Sequence, residues 1–381
     1  MSLVVFPFKD EAPEAVAANM AVAANHHAVD EVWAVAWEDG PSLQGLRPIA
    51  DDLASSTGTT TTVHLQKRIG TLRPGKGDAM NTAIALAAER GRERVHFYDA
   101  DITNFHESWI SGAEKAADRG YGVVRHRFPR ASTDAMITWF ITRPGLASLF
   151  PQTFLPRLNQ PLGGELLLTG GAVERLAGDS FVSDRSDWGI DTVITHAIST
   201  MDTGLYEHHV ADGKRHALYG SLDQLRTMLI ECLDAVASLS ARDAPSAEAI
   251  HGSEPPAPVP PDLKQTVGYD IDGTIKLLAD NWTDAEVALA ETLPQRIAEP
   301  LLENRSTPTF SFMDFELWFE TVRFLLDGFT LGEPAWESLA FRLWMTRVLS
   351  YTTNQALAGF DRAMEYLEAT IRDYDKLASQ G

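Results

Sequence analysis

The sequence predicts an α/β protein in which a mostly parallel, helix-covered sheet is followed by a helical C-terminal domain. Apolar strand-like runs alternate with helical patterns in units of about 30 residues through the first half of the chain, which is how parallel sheets covered on both faces are built. From Ser221 onward the apolar spacing becomes that of a helix, through Leu222, Leu225, Leu229, Cys232, Val236 and Leu239. Prolines at 245, 255, 256, 258, 260 and 261 then interrupt it with an extended loop over 244–261. The expected division is a catalytic sheet domain over residues 1–220 and a helical domain over residues 221–381.

Taken in order, Leu3-Val-Val-Phe-Pro7 is a buried strand and the alanine-rich stretch from Pro13 to Asn25 a helix. Glu31–Trp37 is a second strand, Ser42–Leu53 a helix, and Thr60–Leu65 a third strand rich in β-branched residues. A loop from Arg68 to Gly77 leads to a helix near Met80–Glu89 and the strand Val95–Tyr98. Ligands on such sheets bind at the carboxyl ends of the strands, where Asp99 and Asp101 fall. In the second half, capping boxes at Ser221–Gln224 and Thr283–Glu286 start helices. Amphipathic stretches follow at Met313–Leu326, Trp336–Leu349 and Phe360–Leu377, with many aromatic residues suited to a core or a subunit interface.

The 381 residues are 44% hydrophobic and 22% charged, an ordinary globular composition. The single cysteine, Cys232, excludes a disulfide framework and any multi-cysteine metal site. No apolar run reaches the roughly 18 residues of a membrane span, and the N-terminus lacks the parts of a signal peptide, so a soluble cytoplasmic protein is expected. Against 53 acidic residues stand 32 Lys and Arg, a net charge of −21, so nucleic acid is excluded as a general partner. Any anionic ligand must be held by a local cluster of cations or a metal.

Three segments compete to carry chemistry. Tyr98-Asp99-Ala100-Asp101 puts two carboxylates at spacing i, i+2 after an apolar strand, on one side of an extended chain, where they can bind a divalent metal or a hydroxyl. A pair of solvated turn aspartates is the simpler reading. Gly70-Thr-Leu-Arg-Pro-Gly-Lys76-Gly77 misses the phosphate-binding P-loop pattern, because Gly77 stands where a metal-ligating Ser or Thr is needed. A glycine-rich basic loop before a helix still suits a diphosphate. Asp270-Ile-Asp272-Gly-Thr274 matches the D-x-D-G-T of haloacid-dehalogenase-type phosphatases, but lacks the hydrophobic strand required before it.

Tyr98–Asp101, Arg68–Asp78 and the opening Phe6-Pro-Phe-Lys9 together resemble the GT-A glycosyltransferases. Longer blocks narrow the resemblance to the mannosylglycerate synthase family: Arg130-Ala-Ser-Thr-Asp-Ala-Met-Ile-Thr138, Asp187-Trp-Gly-Ile-Asp-Thr192 and Gly213-Lys-Arg-His-Ala-Leu-Tyr-Gly220. Gly268-Tyr-Asp270 and Leu343–Leu349 extend it into the helical part. It implies transfer of mannose from GDP-mannose to D-glycerate with retention, giving mannosylglycerate, a compatible solute of osmoadaptation. The acidic surface suits a salt-rich cytoplasm. The helical domain is the candidate surface for self-association.

The resemblance also implies residue roles. Pro7, Phe8, Lys9, Val35 and Gln66 hold the guanosine, and Lys76, Asp99 and Ala100 the donor beside the metal. Asp101 and His216 ligand Mn²⁺ or Mg²⁺. Ala217 and Tyr219 lie beside the diphosphate, Leu162 lines the sugar pocket, and Asp191 grips mannose hydroxyls. Arg130 binds the glycerate carboxylate, helped by Ala135, Met136, Ile137 and Thr138. Asp191, Arg130 and Lys76 are the implied catalytic residues. Each has a simpler reading: His216 as a core histidine, Arg130 paired with Asp134, Asp191 as a helix cap. Glu165 is a conceivable nucleophile that nothing in the sequence singles out. A GDP-glucose or UDP-sugar donor, lactate or glycolate as acceptor, and a phosphatase acting through Asp270 and Asp272 are the alternatives.

Overall fold

The computed structural model describes residues 1–216, 219–245, 251–264 and 267–379. Strand β1 (Ser2–Phe8) is buried along its whole length, as a strand covered on both faces must be. Helix α1 (Pro13–Ala24) opens on a proline, whose missing N–H has no partner to lose in a first turn. Next come β2 (Val29–Ala36), α2 (Pro41–Thr57) and β3 (Thr60–Leu65). Gly58 ends α2 at φ 75°, the left-handed conformation that favours glycine. Helix α3 (Lys76–Glu89) starts a turn earlier than Met80, followed by β4 (Arg94–Phe97), α4 (Glu107–Asp118) and β5 (Val123–Arg127).

A π-helical turn, Thr138–Thr142, runs into α5 (Arg143–Leu149). Beyond it lie β6 (Leu166–Thr169), α6 (Gly170–Ala177), α7 (Ser180–Asp184), α8 (Ile190–Ser199) and β7 (Leu205–His209). Helix α9 (Arg226–Ser238) precedes β8 (His251–Ser253). The remaining helices are α10 (Ile271–Ala279), α11 (Asp284–Ala290), α12 (Gln295–Glu303), α13 (Phe315–Gly328), α14 (Pro334–Asn354) and α15 (Phe360–Ala378).

Among the described residues, eight strands form one sheet in the order β3-β2-β1-β4-β6-β5-β7-β8. Every pairing is parallel except the two made by β6, which runs against both β4 and β5. This reversal matters for the site. The start of β6 lies at the edge where the parallel strands end, with Leu166 opposite Phe97, the last residue of β4. One core packs Val4, Phe6 and Phe8 of β1 with Met20, Leu46, Tyr98 and Trp109 from the strands and helices around them.

The chain divides into two compact units. The first comprises residues 1–129, 162–217 and 245–259, and the second residues 130–161, 218–244 and 260–381. Within the second, Trp318, Trp344, Tyr351 and Tyr374 are buried. Two of these aromatics place their polar ends on backbone oxygens: Trp318 Nε1 donates to Phe140 O at 2.7 Å and the Tyr351 hydroxyl to Ser132 O at 2.7 Å.

Two sequence expectations change. Ser221 caps only a short 3₁₀ turn, accepting from the Asp223 amide at 3.3 Å, and α9 begins later, at Arg226. The Thr283–Glu286 capping box forms fully. The proline-rich stretch is not wholly loop, because His251–Ser253 pairs with β7 through its backbone as β8. Among the described residues, no helix is long and apolar enough to cross a membrane.

Candidate active site

The carboxyl ends of β1, β2 and β3 lie side by side. Pro7 stands opposite Val35, and the ladder continues past the strands through Trp37 N to Phe8 O and Gln66 N to Ala36 O, both 2.9 Å. Phe8 is buried and Lys9 exposed. The Gln66 side-chain oxygen is buried and accepts no hydrogen bond. A buried acceptor without a donor costs free energy until a ligand supplies one.

Asp99, Ala100 and Asp101 form a turn after β4. Asn19 of α1 fixes it from behind, donating to Ala100 O at 3.1 Å and Ile102 O at 2.8 Å. Because the segment turns instead of running extended, its two carboxylates have different partners. Asp99 meets two lysines, whereas Asp101, 42% exposed at its side chain, faces His216.

The glycine-rich loop is filled from within. Asp78, fully buried, accepts from the amides of Ile69 and Gly70 at 3.0 and 2.9 Å and from Arg68 at 2.6 Å. The Thr71 and Asp78 amides bond Asp184 O and Ser186 O. A Cβ on Gly77 would lie 2.3 Å from Arg185 O, so only glycine allows this approach. With four amides spent inside the protein, the loop's contribution is a side chain, Lys76, aimed from the first position of α3.

Lys76 Nζ donates to Asp99 Oδ1 at 2.8 Å and Asp191 Oδ2 at 3.0 Å. Lys214 Nζ donates to Asp99 Oδ2 at 2.6 Å and Glu165 Oε1 at 2.5 Å. The result is an alternating chain of charge, Glu165, Lys214, Asp99, Lys76, Asp191, buried except at the partly exposed Asp99. Burial opposes the charge on Lys76, but Asp191, Asp99 and Glu165 outweigh it and hold the ammonium well above the usual lysine range. Burial would likewise raise Asp99, yet Lys214 and Lys76 keep its carboxyl well below the usual range. For Glu165, burial and then the Asp99 charge push the carboxyl up. Asp191 sits in the first turn of α8 but is no cap: its second oxygen, Oδ1, is buried and accepts nothing.

Asn104 sets the segment after β7. Its side chain donates to Gly213 O at 2.9 Å and accepts from the Arg215 amide at 2.9 Å, and the Thr103 amide bonds Arg215 O at 2.8 Å. Lys214 and His216 are delivered by this clasp. His216 Nδ1 lies 4.0 Å from Asp101 Oδ2, beyond hydrogen-bond reach. Two ligands each about 2.1 Å from one ion stand about 3–4 Å apart, so the pair fits a shared divalent cation, and carboxylate with imidazole suits Mn²⁺ or Mg²⁺. Among the described residues no three His, Cys, Asp or Glu side chains are grouped to hold a metal. Two protein ligands alone would leave coordination positions of such a cation open. Glu11, half-buried, adds to the negative field: burial, reinforced by Asp101 and Asp10, pushes its carboxyl up.

Leu162 is half-buried in the first unit, two residues before Gly164, where a Cβ would lie 2.5 Å from Lys76 Nζ and 2.7 Å from Asp99 Oδ1. Arg125 is wholly buried, donating to Gly163 O and, at 2.8 Å, to the Thr195 hydroxyl.

In the second unit, Arg130 pairs with Asp134 at 3.0 Å, the partner its sequence spacing allows. Asp134 also accepts from the Ala135 amide at 2.7 Å. Ala135 has φ 57°, an uncommon conformation for a residue with a side chain. Met136, Ile137 and Thr138 are buried, with Thr138 opening the π-helical turn, a distortion frequent at functional sites. Tyr219 is exposed, and Ala217 lies outside the described residues. Asp270 caps α10, its Oδ1 accepting from the Gly273 amide at 3.0 Å, and no strand leads into it from residue 267. The phosphatase motif is therefore a helix start.

Lys214, Asn104, Asn19 and Glu11 were not picked out as site residues from the sequence, and Glu165 was considered without a role. Their placement depends on the strand reversal and on contacts distant in sequence, which leave no local pattern.

Residues 2–238 match the family model "Mannosylglycerate synthase, GT domain" and residues 263–371 the model "Mannosylglycerate synthase C-terminal domain". Mannosylglycerate synthase of Rhodothermus marinus is 48% identical over 375 residues, covering 98% of this chain and 94% of that protein. The Selaginella moellendorffii mannosylglycerate synthase is 45% identical over 374 residues, covering 97% and 89%. Among solved structures, glucosyl-3-phosphoglycerate synthase of Mycobacterium tuberculosis with phosphoglyceric acid is 18% identical at a TM-score of 0.49, over 64% of this chain and 81% of that one. The same enzyme with Mn²⁺, UDP and glucosyl-3-phosphoglycerate gives the same values. With both domain models and two relatives near half identity spanning almost its full length, this chain belongs to the mannosylglycerate synthase family and is a hexosyltransferase built on a mostly parallel sheet.

Proposed function

We propose that the protein transfers mannose from GDP-mannose to D-glycerate, retaining the anomeric configuration, to form mannosylglycerate with a divalent cation at Asp101 and His216. The observation that carries this reading is the Lys76–Asp191 pair. One oxygen of Asp191 is held by Lys76, and the other is a buried acceptor without a donor, at the edge where an α/β sheet takes its ligand. A sugar hydroxyl supplies that donor. Gln66 favours guanine in the same way, since its buried side-chain oxygen needs a donor and the guanine edge offers two kinds of N–H, against one for uracil. Pro7, Phe8, Lys9 and Val35 complete the nucleotide contacts, and Lys76, Asp99, Ala100, Leu162, Ala217 and Tyr219 those of the diphosphate and sugar.

When bound, the cation neutralises charge developing on the departing diphosphate, the large electrostatic component of such transfers. Lys76 adds a fixed positive charge. Arg130 takes the acceptor carboxylate through its planar fork, with Ala135, Met136, Ile137 and Thr138 beside it. Retention proceeds by attack on the face from which GDP leaves: the bond from the anomeric carbon to the phosphate oxygen breaks, the glycerate 2-hydroxyl oxygen bonds that carbon, and the leaving phosphate takes its proton. A covalent mannosyl-enzyme trapped with a slow fluorinated donor would contradict this route. The reading as a whole is tested by screening GDP-mannose, GDP-glucose and UDP-sugars against glycerate, lactate and glycolate, with Mn²⁺ and with EDTA. GDP-mannose with glycerate is expected to give the highest kcat/KM, and preference for another donor would overturn the assignment.

A further inference from the structure

Glu165 is 1% exposed and lies just before β6, the one strand that runs against its neighbours. Its backbone is fixed in the sheet, its carbonyl accepting from the His126 amide at 3.0 Å. Lys214 is less constrained by regular structure. It sits in an irregular segment after β7, and its long stem places the ammonium only as well as its partners hold it. Those partners include Glu165 Oε1 at 2.5 Å and Asp99 Oδ2 at 2.6 Å. The other Asp99 oxygen is taken by Lys76. A carboxylate beside the sheet thus anchors a buried cation, which in turn fixes one oxygen of the aspartate assigned to the donor.

We propose that Glu165 is a positioning residue for the transfer, orienting Asp99 through Lys214. This rests on the function proposed above. A nucleophilic role fits the geometry less well: Glu165 is 1% exposed, its Oε1 already accepts from Lys214, and its Oε2 is buried. An anchor of this kind acts on orientation, not on nucleotide affinity, and its effect depends on the side chain it works through.

The test is a double-mutant cycle of Glu165→Gln and Lys214→Met, with kcat and KM for GDP-mannose and glycerate, GDP binding by calorimetry in Mn²⁺, and melting temperature. Glu165→Gln alone is expected to lower kcat/KM about 10- to 100-fold, the usual effect of losing a residue that orients a ligand-binding group. In the Lys214→Met background the same substitution should cost less than about 2-fold. For Glu165→Gln, GDP affinity should stay within about 2-fold of wild type, which a general loss of structure would not allow. If Lys214→Met does not fold, Lys214→Gln takes its place in the cycle. Equal cost of Glu165→Gln in both backgrounds, or no cost in either, overturns the proposal. So does recovery of a Glu165→Ala variant by azide with release of mannosyl azide, which would make Glu165 the nucleophile. Wild-type protein that forms no mannosylglycerate fails the function reading itself, whereas active wild type beside an unaffected Glu165→Gln fails Glu165 alone.

Discussion

Asp101 Oδ2 and His216 Nδ1 face each other across 4.0 Å, one from the turn after β4 and the other from the segment after β7. Two ligands from distant segments close on an ion only if both segments are held. Replacing either residue by Ala should therefore lower turnover about 10³-fold or more while circular dichroism stays unchanged. EDTA should do the same to wild type, and added Mn²⁺ should reverse it. Full, EDTA-resistant activity in both variants would exclude a metal at this pair.

Asn104 is not one of the two proposed metal ligands but holds the backbone on both sides of Lys214. Asn104→Ala is expected to raise the Mn²⁺ concentration for half-maximal activity about 10- to 100-fold, with kcat largely restored at saturating Mn²⁺. A fall in kcat that excess Mn²⁺ does not correct would mean that Asn104 supports the fold more broadly.

Arg130 is held by Asp134, and its guanidinium can meet a carboxylate with two parallel bonds that Lys cannot reproduce. Losing such a contact costs on the order of 2–4 kcal/mol, so Arg130→Lys should lower kcat/KM for glycerate about 30- to 1,000-fold. Calorimetric affinity for GDP-mannose should change little. The opposite pattern would move the acceptor away from Arg130, and Arg73 would be tested next, because Arg125 is spent in the core.

Glu114 predicts an acid-sensitive step in stability. Its burial is outweighed by His96 at 2.8 Å, Ser2 at 2.5 Å and Arg94, which bring its pKa down from 4.5 to about 2. The charged form is favoured by folding, so the stabilisation is complete above about pH 4.5 and disappears as the pH falls toward 2. Glu114→Gln should destabilise the protein by on the order of 2–3 kcal/mol at pH 7. In denaturant titrations that gap should shrink steadily below pH 4.5. A gap independent of pH would assign the loss to hydrogen-bond geometry alone.

The first four strands were legible because each is an apolar or β-branched run bounded by turn residues. Leu166–Thr169 is as apolar, but nothing local tells a strand's direction, and its reversal is what brings Glu165 to the ligand edge. His251-Gly-Ser253 has no β propensity and becomes a strand only because β7 offers it an open edge. Lys76, Asp99, Asp101, Asp191 and His216 were recognisable as blocks of residues. The sharing of Asp99 between Lys76 and Lys214, the clasp by Asn104 and the closure of the loop by Asp78 are tertiary facts, set by packing between segments that no sequence window contains.

The first unit is assembled from three stretches of chain, the last of which contributes β8 at residues 251–253. During synthesis, β1 to β5 emerge early and must wait for the remaining stretches. At about 5–20 residues per second, residues 130–259 take roughly 7–26 s to appear. Within that interval, from the completion of β7 until residue 253 appears, roughly 2–9 s, β7 has an unpaired edge, open to strand addition from another nascent chain. A truncated polypeptide ending at residue 220 keeps this edge exposed permanently, so it should aggregate at concentrations where the full-length chain remains dispersed.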